Sequence, residues 1–115
     1  MGGALIMTYT PAFTTDNSVY FDNRDIRSVL HNLYHYHDYL DFLETSPECM
    51  AAREAYRLMH DLLPGHESSL LHYHIVDGNS NMAQIAKFFE LGRVKDAKIA
   101  IQQAVQHLQE ALQKR

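Results

Sequence analysis

The chain has 115 residues, 46% of them hydrophobic and 21% charged, with a formal net charge of -4 and a pI near 6.0. That is ordinary for one globular domain, and the acidic balance with scattered basic residues argues against nucleic acid as a partner. No apolar run approaches the roughly 20 residues needed to span a bilayer, so no membrane contact is expected, and Cys49, the single cysteine, excludes an intramolecular disulfide and points to a reducing, cytoplasmic setting.

Residues 1–22 lack helical periodicity. Thr8, Tyr9, Thr10, Thr14, Thr15, Val19, Tyr20 and Phe21 favour extended backbone, punctuated by Pro11 and Asp16-Asn17. An irregular N-terminal arm is expected there, with room for one short strand. The start lacks a basic segment and is too short for a signal peptide. From residue 23 to 115 the pattern turns helical, and the expected fold is all-α: an up-down bundle of four to five helices.

The first helix is expected over 23–44, capped by Asp22 or Asn23. Its inward stripe is Ile26, Val29, Leu30, Leu33, Tyr36, His37, Leu40 and Leu43. Thr45 and Glu48 have capping-box spacing, and Pro47 suits a first turn, so a second helix should cover 47–63 before Pro64-Gly65 ends it. A third is expected over 66–76, with Leu70, Leu71, His74 and Ile75 inward. After the turn at Asp77-Gly78-Asn79, Ser80 can cap a fourth helix over 81–91, which Gly92 stops. The last helix runs to the chain end on a stripe of Val94, Ala97, Ile101, Ala104, Val105, Leu108, Ala111 and Leu112.

The stretch from Ala86 to Ala97, with Leu91-Gly92-Arg93 at its turn and Ala104 beyond, resembles the second half of a tetratricopeptide repeat. It covers about a quarter of the chain. Ile85 stands where that family has a small residue, no second copy flanks it, and a generic helix hairpin explains the same residues.

Eight histidines are unusual in a chain of this length. His31, His35 and Asp38 fall at i, i+4 and i+7, opposite the stripe of the first helix. Two imidazoles one turn apart with a carboxylate beyond can hold a divalent metal. A solvated polar face, or an oligomer interface extended by Tyr39 and Phe42, accounts for the same residues. His37 and His74 lie within apolar stripes and are expected to point inward. There they are either core histidines bonded to carbonyls and tyrosines, or part of a buried polar centre with His60. His66 and His72 are expected at the surface.

No phosphate-binding glycine loop, nucleophile elbow or Cys-x-x-Cys is present, and the glutamates lack the Glu-x-x-His pairing of carboxylate-bridged bundles. No cofactor is therefore required, a divalent metal being the one the histidines could take, and binding is expected in preference to catalysis. The outer face of the last helix carries Gln102, Gln103, Gln106, Gln109 and Gln113 around Ile99. A helix face poor in charge is a candidate contact surface, and a homodimer is the simplest way for a small bundle to extend its core.

Overall fold

The computed structural model describes residues 23–115; the expected N-terminal arm lies outside them. Among the described residues the chain is all helical, with no strand. The elements are α1 (Ile26–Tyr34), α2 (Tyr36–Tyr39), α3 (Pro47–Leu62), α4 (Gly65–Leu71) continued by a π-helical turn (His72–Val76), α5 (Met82–Phe88) and α6 (Val94–Gln113).

The first expected helix is two helices. His35, at φ -97 and ψ 13, ends α1 and begins α2. The break ends the apolar stripe: Ile26, Val29, Leu30 and Leu33 are buried, Tyr36 is half-buried, and Leu43 is 79% exposed. α1 packs most extensively on α3 and also meets the π turn and α6. It is enclosed on nearly every side, so Ser28, His31 and Asn32 are buried along with its leucines. Buried polar groups need hydrogen-bond partners, and Asn32 Nδ2 and His31 Nε2 each have one, in Asn23 and Tyr39. Asp25, and not Asp22 or Asn23, caps it by accepting from the Ser28 amide. Asn23 sits just before in the left-handed region, at φ 53, with no exposed surface. Its Nδ2 donates to the Ala51 carbonyl at 2.9 Å and to Glu54 Oε1 at 3.1 Å, while its Oδ1 accepts from Asn32 Nδ2 at 2.8 Å.

α3 matches its expected span, but its cap is Ser46, whose hydroxyl accepts from the Cys49 amide at 3.1 Å. Cys49 is fully buried, with Arg53 Nε donating to its sulfur at 3.3 Å. The third helix changes pitch at His72. The Asp77 amide donates to the His72 carbonyl at 2.9 Å, five residues back, and this wider turn sends His72 outward and His74 inward. Asn81, not Ser80, caps α5. α5 also stops earlier than expected. Glu90 adopts φ 55, Leu91 N donates to Ala86 O at 2.8 Å and Glu90 N to Lys87 O at 3.3 Å. This is a Schellman ending with glutamate where glycine is usual, so Gly92, at φ 96, serves the following turn. Asp96 then closes a capping box on Arg93. The Arg93 backbone N–H, then its guanidinium, hold the Asp96 carboxyl below its ordinary pKa.

The core gathers Leu30, Leu33, Met59, Leu71, Ile75, Ile85 and Leu108, all fully buried, from α1, α3, α4 with its π turn, α5 and α6. Nearly the whole expected stripe of the last helix joins it: Ala97, Ile101, Ala104, Val105, Leu108 and Leu112. α4 is also fastened to α6 by a polar contact. Glu67, 11% exposed in its side chain, meets His107 Nδ1 through Oε2 at 2.7 Å, and its Oε1 is buried with no partner among the described residues. Removing the imidazole leaves a largely buried carboxylate unpaired, softened by water entering where half-exposed His107 stood. His107→Ala should lose about 1–2 kcal/mol in urea denaturation at neutral pH. Glu67→Leu/His107→Ala should recover most of that loss.

Candidate functional site

The π turn organises a chain of rings and polar atoms on one side of the molecule. Asp77, just past the turn, is shared by two imidazoles. His37 Nε2 is hydrogen-bonded to its Oδ1 at 3.3 Å, and His72 Nε2 lies 3.3 Å from its Oδ2. On the other edge of the His72 ring, Nδ1 is hydrogen-bonded to the Tyr56 hydroxyl at 3.1 Å. Burial, then Tyr36 and Asp77, push the Tyr56 hydroxyl above its ordinary pKa. It therefore stays protonated, and it can donate to His72 when the imidazole carries its proton on Nε2, towards Asp77. Hydroxyl, imidazole and carboxylate follow one another as in a hydrolytic triad, but the raised hydroxyl makes Tyr56 a better donor than nucleophile. Tyr56 also stacks on Tyr36 at 4.6 Å between centroids and meets the edge of His60 at 4.6 Å. α2, α3 and the π turn are tied together by this set.

Beyond His60 and His72 lies an open groove of about 220 Å³, lined by His60, Ser69, His72, Tyr73, Phe88 and Phe89. Its far wall is aromatic. Tyr73 and Phe88 lie parallel, 4.9 Å apart and 5° from coplanar, and Phe89 stands edge-on to both. Phe88 is 65% exposed, an unusual position for a phenylalanine held so regularly.

The expected polar centre of His37, His74 and His60 does not assemble. His37 is exposed because the break at His35 takes it off the stripe of α1, and it reaches Asp77 instead. His60 is also exposed and packs against Tyr56. Only His74 is buried, where its Nδ1 donates to the Asn79 carbonyl at 2.8 Å. His72, expected at the surface, is part-exposed there and is the histidine that joins Tyr56 to Asp77, a pairing across helices that no periodic pattern encodes.

The placement of His31 is also corrected. Expected on a solvated face, it is 3% exposed. Its Nε2 is hydrogen-bonded to the Tyr39 hydroxyl at 3.0 Å, and its ring lies 4.6 Å from that of His35. Burial, then the neighbouring His35, lower its pKa to about 4. Burial also raises the Tyr39 hydroxyl, with Glu48 and Asp38 adding to it, so Tyr39 keeps its proton beside a neutral imidazole. His35 Nδ1 lies 3.7 Å from Asp38 Oδ2. His31 Nε2 is thus engaged by a hydroxyl, and among the described residues no three His, Cys, Asp or Glu side chains converge to hold a metal ion.

On α6, Gln102, Gln103, Gln106 and Gln113 are exposed, Gln109 is half-buried, and Ile99 is 46% exposed. No helix of the described chain is long and apolar enough to cross a membrane.

Over the described residues, fold and site together define a small all-helical domain with a ring-lined surface groove and a terminal helix bearing exposed glutamines. No known protein family, curated protein or solved structure matches the chain.

Proposed function

We propose that the protein acts without catalysis, through protein–protein contact, and that it self-associates through the outer face of α6. One observation carries this reading. Ile99 stays 46% exposed on a 20-residue helix whose outward face carries four exposed glutamines, Gln102, Gln103, Gln106 and Gln113. Glutamines lose less on desolvation than lysines or glutamates, and interface cores are depleted in charge. The reading takes the helices as an up-down bundle, with the last helix lying at its edge. A two-fold pairing would set α6 against its own copy, so one apolar side chain is used twice.

Sedimentation velocity over a micromolar concentration series tests it. The parent chain should show a concentration-dependent dimer. Ile99→Lys, at a position outside the core, should weaken dimerisation at least tenfold, about 1.4 kcal/mol or more. A parent chain that stays monomeric at high micromolar concentration would sink the proposal.

A further inference from the structure

We propose that the groove where α3, α4, the π turn and α5 meet binds a neutral aromatic small molecule carrying one hydrogen-bonding group, of the phenol class. Its size, its lining and its unpaired polar groups each narrow the choice. An apolar cavity of about 150 Å³ already accepts benzene, so the groove's 220 Å³ has room for one substituted ring. Five of its six lining residues are aromatic or imidazole rings. Rings gain most from other rings, in offset-stacked or edge-to-face contact, and the parallel Tyr73–Phe88 pair with Phe89 across it offers both.

The polar groups set the substituent. Among the described residues no Lys, Arg, Asp or Glu lines the groove, so a charged ligand would lose hydration without gaining a counter-charge from them. The His60 imidazole and the Ser69 hydroxyl both face the groove, and neither is hydrogen-bonded to any described residue. An imidazole and a hydroxyl can each give or take a hydrogen bond, which suits a phenolic hydroxyl. The His72 wall is fixed in advance, because Tyr56 and Asp77 flank its two nitrogens. A preorganised wall need not be ordered on binding.

The test is an NMR titration of the full chain with p-cresol. Saturable shifts should appear at His60, Ser69, His72, Tyr73, Phe88 and Phe89. Methylcyclohexanol, the saturated counterpart, and p-hydroxybenzoate, the charged one, should each bind at least fivefold more weakly. Phe88→Ser should weaken p-cresol binding at least tenfold, whereas Phe42→Ser, also at an exposed ring, should leave it unchanged. Both variants are to be compared with the parent by circular dichroism and Tm, so that loss of binding is not loss of fold. Absence of saturable shifts at the groove, or equal binding of methylcyclohexanol, would overturn the proposal. So would N-acetyltyrosinamide binding at least tenfold more tightly than p-cresol, which would assign the groove to an aromatic side chain of a protein partner.

Discussion

Replacing Asn23 by alanine is expected to lower the unfolding free energy by about 3–4 kcal/mol, the largest single effect outside the hydrophobic core. Three terms add. Asn23 holds φ 53, a conformation that asparagine tolerates and alanine does not, worth about 1 kcal/mol. Its amide donates to the Ala51 carbonyl and Glu54, and alanine gives neither bond. Its Oδ1 is the acceptor for Asn32 Nδ2, and Asn32 has no exposed surface, so that donor loses its bond where water does not reach. Burying a polar group without its partner costs about 1–3 kcal/mol. Asn23→Gly separates the terms: it restores the backbone freedom and should recover about 1 kcal/mol. Asn23→Asp keeps the shape but loses both donors and sets a carboxylate 3.1 Å from Glu54, so it should be no better than alanine. Urea denaturation with unchanged m-values measures all three. A loss below about 1 kcal/mol for Asn23→Ala would show that the buried pair of asparagines contributes little.

Asn23 also shows where the sequence was readable and where it was not. A polar residue before a helical stripe reads as a cap, and a cap was needed there; the structure uses Asp25 for it and buries Asn23 between α1 and α3. Long periodic stretches were legible. The stripe of α6 and the span of α3 follow from spacing alone, because many apolar residues must agree on one face before either helix can pack. Breaks were not legible. The break at His35 rests on one residue and the π turn on five, His72–Val76, with no glycine or proline in either to mark it. A helix continued on paper past His35 misplaces the side chains that follow, which is why His37 was expected inside and is 62% exposed, whereas His74 and Ile75 are buried as expected despite the change of pitch at His72. His31 failed for another reason. Its face opposes the leucines of α1, and periodicity treats that face as solvent. Only tertiary packing reveals that α1 is enclosed on both sides. The groove is a product of the same blind spot, since it joins α3, α4, the π turn and α5 through contacts that no local pattern records.

The enclosure of His31 has a thermodynamic signature in the pH dependence of stability. Its pKa is about 4 in the folded protein, against 6.5 for an unperturbed histidine. Above pH 6.5 the imidazole is neutral in both states and stability is at its full value. As pH falls from 6.5 towards 4, the unfolded chain takes up a proton that the folded chain refuses, so the unfolded state gains and stability declines. Below 4 both states are protonated and the loss is complete. Between pH 7.5 and pH 4.5 the loss assigned to His31 is about 2–3 kcal/mol. The neighbouring His35 acts in the same sense as burial, since a positive charge there opposes one on His31, and the Tyr39 hydroxyl engages the ring at Nε2. The quantity to follow is the difference between the parent and His31→Gln, in which every group common to the two chains cancels. Glutamine can accept from Tyr39 and does not titrate. The variant should be less stable than the parent at pH 7.5, where the imidazole packs against His35. As pH falls, its deficit should shrink by about 2–3 kcal/mol and can change sign. Parallel stability curves for the two chains would mean that water reaches His31 and that α1 is open on that side.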